Sequence, residues 1–563
     1  MLPFRQLLIL IPTLVFSCVA SNSPRALTSP LGPVVNLGYA AFAGNTTSPA
    51  GITDSPVTFY GSIPYALPPL GNLRFRAPKT LNERAIAREV TDARNWGPAC
   101  IQRPAVVGIG SEDCLTLNVW KPTNASAGAK LPVVVYIHGG GFYYGTPQGF
   151  PLYDWVAQHP TGIVGVSITY RLGLLGFLGG PTVVADGNLN AGLLDQRAGL
   201  EWVQRHISKF GGDPDNISIS GESAGGASMM MQAVAYGGSK PAPFKRVIAQ
   251  SIGFGPTRTQ AQVEDTFKNA VTYVGCSDSK NTMKCLREAS WGAIVSAINR
   301  TPNGQFAPMI EGPSGFLPDL PSRLISAGKF HPVDFIGGHC TGDGKHFAGG
   351  RPEQFVTDDD IRTRVFSRWP GVSNDTINKA LALYPAPGAP GSPFPTQWDR
   401  GSTMAGEIVF ACMDWLFAES VIKKGGKSVF SYSWNAPDTV LYNVSPYLGA
   451  MHTSDLYYLF SGKDTFANAG NTFTPFNTSE AVLSREAIAY WSSFVAHGNP
   501  TAGKKPISPS WLDYVADDGS RQRLVLTRGG DTVTNSVMET ITAGEAERCK
   551  FWMSEEVVEE TRI

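Results

Sequence analysis

Apolar residues along this chain fall into short unbroken runs that alternate with stretches of helical spacing. Pro132-Val133-Val134-Val135-Tyr136-Ile137 is one such run, and it stops at glycines. A run that is apolar at every position reads as a strand buried on both faces, as in a parallel sheet. Gly162 to Thr169 repeats the pattern. The period then changes: Leu194, Ala198, Leu200, Trp202 and Val203 recur at helical spacing within Leu193 to Ile207. The breaker cluster Phe210-Gly211-Gly212-Asp213-Pro214 ends that helix. Ile217 to Ser220 predicts the next strand, the Ala- and Met-rich run after Ser223 a buried helix, and Arg246 to Gln250 another strand. Further strands are predicted at Val333–Gly337 and Ser428–Trp434, and an amphipathic helix over Ser479–His497. Such alternation predicts an α/β fold, a large and mostly parallel central sheet with helices on both faces. Residues 255–330 and 350–425 mix helix and loop signals and receive no assignment. No repeat or break in composition divides the chain, so residues 21–563 read as a single domain although the length alone would allow several.

The first twenty residues differ from the rest. Arg5 precedes an apolar run from Leu7 to Phe16, and Cys18-Val19-Ala20 forms a small-residue exit. That pattern reads as a secretory signal peptide over residues 1–20, too short for a comfortable membrane span. Lys plus Arg and Asp plus Glu number 46 each, and this balance gives no electrostatic case for nucleic acid or for a stable association with an anionic membrane. An extracellular destination makes glycosylation sequons relevant: Asn45, Asn124, Asn299, Asn374, Asn443 and Asn477 are candidate acceptors. Asn216 also heads a sequon but begins a predicted buried strand, so it is not expected to be used. Cysteine usage agrees with an oxidising compartment. Cys100 and Cys114 bracket one short loop and Cys276 and Cys285 another; Cys340, Cys412 and Cys549 complete the set after signal removal. Spacing alone leaves their connectivity open. No pair has CxxC spacing, so no metal site is expected.

Chemistry concentrates at two glycine motifs. Gly221-Glu222-Ser223-Ala224-Gly225 matches GxSxG and lies between a predicted strand and a predicted helix. In that setting the turn forces the serine into a strained conformation, and the flanking glycines remove the Cβ atoms that would clash. The helix N-terminus offers amides to a developing oxyanion. His138-Gly139-Gly140-Gly141-Phe142 follows another strand end and is of the kind that supplies the remaining oxyanion donors. A serine nucleophile needs a histidine base and an orienting carboxylate, in the chain order serine, acid, histidine. Order leaves His331, His339, His346, His452 and His497. His452, in a glycine-preceded loop after a strand, is preferred over the others. For the acid, Asp343 between Gly342 and Gly344 at a strand end is preferred over Asp334 and Glu353.

These residues resemble the type-B carboxylesterase/lipase family, which includes the cholinesterases and has the α/β-hydrolase fold. Phe59-Tyr60-Gly61-Ser62-Ile63-Pro64-Tyr65-Ala66, then Glu112-Asp113-Cys114-Leu115-Thr116-Leu117-Asn118-Val119, then the run from Phe210 through Gly225 carry the likeness. It implies a serine carboxylic ester hydrolase with Ser223 as nucleophile, His452 as general base and acid, and Gly140, Gly141 and Ala224 as oxyanion donors. Gly342-Asp343-Gly344 stands where the family usually has Asp-Glu-Gly. This points to Asp343 as the acid, but aspartate is one methylene shorter, so its loop must come closer to His452. The resemblance also implies disulfides Cys100–Cys114, Cys276–Cys285 and Cys412–Cys549, with Cys340 free; a Cys340–Cys412 bridge is the alternative. No cofactor is expected, and the partner is a small-molecule ester.

The substrate class is narrower than the family. In related lipases the loop between the first cysteine pair is a long lid. Only residues 101–113 separate Cys100 from Cys114, which favours dissolved esters over aggregated lipid, with a secreted lipase as the alternative. Those residues include no aromatic side chain to hold a quaternary ammonium, so choline esters are not expected. A non-catalytic adhesion role is disfavoured because Ser223, His452 and both glycine motifs are intact. Acyl group, alcohol and oligomeric state cannot be read from the sequence.

Overall fold

The computed structural model describes residues 27–47, 55–253, 255–460 and 475–563. The segment read as a signal peptide lies outside them. Ten strands form the central sheet: β1 (Val57–Pro64), β2 (Thr116–Pro122), β3 (Leu131–Ile137), β4 (Val164–Ile168), β5 (Gly212–Glu222), β6 (Arg246–Gln250), β7 (Asp334–Cys340), β8 (Val429–Trp434), β9 (Gln522–Leu526) and β10 (Val537–Thr540). Their spatial order is β10-β9-β8-β7-β6-β5-β3-β4-β2-β1. From β4 across to β9 every neighbour pair is parallel, while β2 and β1 at one edge and β10 at the other join antiparallel. Three short strands, Val34–Asn36, Ala41–Ala43 and Val90–Asp92, make a separate small sheet.

The unbroken apolar runs are explained by burial on both faces. Val133, Val135 and Ile137 of β3 enter one hydrophobic cluster, and Val134 and Tyr136 enter the other. Helices α1 (Ala191–His206), α2 (Ala224–Val234) and α3 (Cys412–Lys423) cover the first face, with Trp202, Met230 and Phe417 among their buried residues. Helix α4 (Thr478–His497) covers the second with Leu483, Trp491 and Phe494. Every residue of α2 is buried, so this helix is held by its surroundings rather than by an amphipathic stripe.

β5 begins earlier than the breaker cluster suggests. Leu131 pairs with Gly212, the register then shifts, and regular pairing resumes at Val133 with Ile217. Pro214 therefore sits in the irregularity, the place in a strand where a missing N–H is tolerated. Residues 255–330 and 350–425 hold helices Gln260–Val274, Trp291–Arg300, Asn374–Leu383 and Gln397–Gly406.

The disulfides are Cys100–Cys114, Cys276–Cys285 and Cys412–Cys549; Cys340 is free and buried. The Cys412–Cys549 link ties α3 to the helix Ala543–Trp552 across 137 residues of chain. Among the sequons, Asn124, Asn299, Asn374, Asn443 and Asn477 are exposed, Asn45 is half-buried, and Asn216 is half-buried with its amide oxygen accepting from Arg246. Among the described residues no helix is long and apolar enough to cross a membrane.

Candidate active site

Parallel strands present their C-terminal ends, and the loops that follow them, on one edge of the sheet. The sequence-predicted residues come together on that edge. Ser223 follows β5 and caps α2 with φ +59° and ψ −124°, a conformation costly for a residue with a side chain. Its amide donates to the Gln250 carbonyl at 3.0 Å, and its carbonyl accepts from Ala227 at 2.8 Å. The glycines of the motif let this turn close. A Cβ on Gly225 would lie 2.2 Å from the Ile137 carbonyl oxygen, and one on Gly221 2.7 Å from it.

The loop after β3 lies against this elbow. A Cβ on Gly139 would approach the Ser223 Cβ to 3.1 Å. Gly140 and Gly141 follow with φ +102° and +59°, and a Cβ on Gly140 would meet the Tyr144 carbonyl oxygen at 2.1 Å. Gly141 is exposed, and Gly140 and Ser223 are half-buried. Ala224 is the first residue of α2, where backbone amides have no partner within the helix. His138 is buried. It stacks on Tyr170 at 4.6 Å, and burial pushes it down to about 4.

Asp343 follows β7 in a short 3-10 turn and is buried. Its Oδ1 lies 2.9 Å from His452 Nδ1. Its Oδ2 accepts from Ser251 Oγ at 2.8 Å and from the Cys340 amide at 3.0 Å. The shorter aspartate reaches because the two loops are paired directly: the Gly342 amide donates to the Ala450 carbonyl at 2.8 Å. A Cβ at Gly342 would come within 2.7 Å of that oxygen, so glycine permits the approach. The rivals lie elsewhere. Asp334 pairs with Arg246 at the start of β7, and Glu353 is exposed in a separate turn. Among the remaining histidines, His331 is buried and pushed down to about 4, mainly by burial. His339 faces Asp414, and His497 ends α4 against His159. His346 sits beside the site, three residues after Asp343.

One participant was not singled out by the motif reading. Glu222 Oε1 lies 3.2 Å from His452 Nε2, without hydrogen-bond alignment. Burial pushes Glu222 up to about 8, with the His452 charge opposing. Burial also opposes charge on His452, but Glu222 and the bonded Asp343 outweigh it and lift the imidazole to about 9. The two titrate together, since a proton on Glu222 removes its pull on His452. Phe410 and Phe347 pack on the imidazole at 4.5 and 5.1 Å and fix its plane. Deeper in, burial raises Asp455 to about 6, where it accepts from Gln250 and Tyr432.

A half-buried serine on a strained turn, a glycine loop against it and a histidine held by a carboxylate form an arrangement suited to acyl transfer. Comparison with known proteins agrees. The model of the carboxylesterase family matches residues 32–552. Lipase 2 of Geotrichum candidum is 30% identical, over 87% of this chain and 91% of its own. An acetylcholinesterase of Bungarus fasciatus is 30% identical, over 97% of this chain and 89% of its own. The crystal structure of Aspergillus niger EstA matches with a TM-score of 0.81 at 30% identity, covering 94% of this chain and 99% of that one. The chain belongs to the carboxylesterase family, has the α/β-hydrolase fold, and is a carboxylic ester hydrolase.

Proposed function

We propose that the protein is a secreted serine esterase that works through Ser223, His452 and Asp343 and an acyl-enzyme intermediate. The observation that carries this reading is the 2.9 Å contact between His452 Nδ1 and Asp343 Oδ1, set beside a serine at φ +59°. His452, whose Nε2 lies 3.2 Å from Glu222, the residue before Ser223, takes the proton of Ser223 Oγ as that oxygen attacks the ester carbonyl. The amides of Gly140, Gly141 and Ala224 hold the oxyanion, each contributing about 3 kcal/mol. His452 then protonates the departing alcohol, and water, deprotonated by the same imidazole, releases the acid. Asp343 keeps the imidazole in the required tautomer. No step calls for a metal or an organic cofactor. Secretion is supported by the leader-like first twenty residues, by the cysteine usage, and by relatives named as secreted lipases in Arthroderma benhamiae and Gibberella zeae.

Dissolved esters are the favoured substrates, because the loop at residues 101–113 is too short to form a large apolar lid. One observation supports the lipase reading instead: Val106, Val107 and Ile109 of that loop are 50%, 63% and 67% exposed, a cluster that could rest on a lipid surface. Hydrolysis of p-nitrophenyl esters across acyl lengths, below and above their solubility limits, separates the two, with Ser223→Ala as control. Peak activity on short dissolved esters is the expected result. A jump above the solubility limit on long chains, lost when Val106 and Val107 become serine, would establish the lipase.

A further inference from the structure

The rim of the site on the His452 side is positively charged, and among the described residues no carboxylate acts on its Arg368. The Arg368 guanidinium lies over the Phe347 ring at 5.0 Å, and that ring meets the His452 imidazole at 5.1 Å. Arg368 is thus one aromatic ring beyond the candidate base. Its donors find no protein acceptor among the described residues, and it is exposed. A guanidinium stacked on a ring keeps its in-plane N–H groups free for a bidentate anion. Arg103, in the short loop between Cys100 and Cys114, lies near Tyr143 as Arg368 does. Its amide donates to the Tyr143 carbonyl at 3.1 Å, and its guanidinium bonds the Thr301 carbonyl. Lys345 lies in the same turn as Asp343, with its Nζ 3.5 Å from the position of a Cβ on Gly449.

The nearby carboxylates are occupied or buried. Asp358 pairs with Arg400, Asp359 with Arg362, and Asp360 caps the start of its own helix. Asp343 and Glu222 lie beneath the site, each 2% exposed. Burial opposes a charge on Glu222. Desolvation lowers Arg368 although the residue is exposed. It lowers the neighbouring His346 as well, with the charges on His452 and Arg368 pushing the same way.

We propose that this rim binds an anionic group on the alcohol portion of the substrate, a carboxylate being the simplest, with Arg368 as the principal contact and Arg103 flanking. The inference rests on the ester-hydrolase mechanism above. The alcohol side follows from that mechanism: His452 hands its proton to the departing oxygen, so the leaving group lies against the wall that carries Phe347 and Arg368.

The test compares two butanoate esters of equal size, one of 4-hydroxybenzoate and one of 4-hydroxybenzamide, in the full-length enzyme. The quantity read is the ratio of kcat/KM for the charged over the neutral ester. That ratio is expected to fall about tenfold in Arg368→Gln, to recover most of its value in Arg368→Lys, and to fall in wild type between 0.02 and 0.5 M salt, as screening requires. An unchanged ratio in Arg368→Gln and in Arg103→Gln, with both esters still hydrolysed, would make these solvated surface arginines and overturn the proposal. If Arg368→Gln instead weakens binding to phosphatidylglycerol vesicles and leaves the ratio alone, the rim serves a lipid surface and the proposal is equally overturned. Failure of wild type to hydrolyse either ester would strike the proposed mechanism first, and this inference with it.

Discussion

Two histidine–aspartate pairs stand near the C-terminal end of β7, and the proposed proton transfer uses only one of them. His452 and Asp343 are joined by a 2.9 Å hydrogen bond. His339 and Asp414 approach to 3.4 Å without alignment. The aspartates are both buried, so burial of the carboxylate does not separate the pairs. The surroundings do. The far nitrogen of His452 lies 3.2 Å from Glu222, the residue before Ser223, whereas His339 sits in the field of the Arg523–Glu545 ion pair. A histidine–carboxylate contact becomes a general base through what its second nitrogen can reach.

Substitution of the two aspartates sharpens this contrast most. Asp343→Asn should lower kcat by about 10⁴, because the wrong tautomer is then stabilised. Asp414→Asn should change kcat less than about threefold by the same mechanism's logic. A comparable loss in both variants, measured with a short p-nitrophenyl ester, would erase the distinction. The glycine loop comes next. Gly140→Ala puts a Cβ 2.1 Å from the Tyr144 carbonyl oxygen, so the loop must move, and kcat should fall about 10²-fold as one oxyanion donor is lost. The third effect is a pH shift. Glu222 raises the proton affinity of His452, and activity requires neutral His452. Glu222→Gln should therefore move the acid limb of the kcat/KM profile to lower pH, by about one unit; a shift to higher pH would contradict the pairing.

The smallest effect belongs to the second pair. Burial raises Asp414 to about 7, above its unfolded value, so the folded state holds more protons and stability falls as pH rises from about 4 to 7. His339 is also raised, despite burial, through Asp414, and the stability it contributes is likewise lost as pH rises. Asp414→Asn should flatten the decline in Tm between pH 4.5 and 7. A steeper decline would reverse the assignment.

Much of this arrangement was legible in the chain. The β3 and β5 runs, the glycine motifs and the serine-acid-histidine order each reflect a local demand: two-sided burial, a strained turn, a close approach. Glu222 was not legible, because the variable position of GxSxG carries no rule for where its side chain points. The helices at 260–274 and 291–300 were hidden by interruption, although Thr259 with Gln262 forms a capping box and Ser290 caps the second. Their ends lie among glycines, prolines and a disulfide loop, and window-scale periodicity dissolves there. The rim arginines were invisible for a related reason. Arg103 and Arg368 are 265 positions apart in sequence, and only the folded loops bring both near Tyr143.

The central claim is that Ser223 is the nucleophile, and covalent trapping tests it most directly. A fluorophosphonate incubated with the enzyme should leave one phosphonyl adduct, mapped by peptide mass spectrometry to Ser223, absent in Ser223→Ala and formed far more slowly in Asp343→Asn. An adduct on another residue, or equal labelling of Ser223→Ala, would contradict the account.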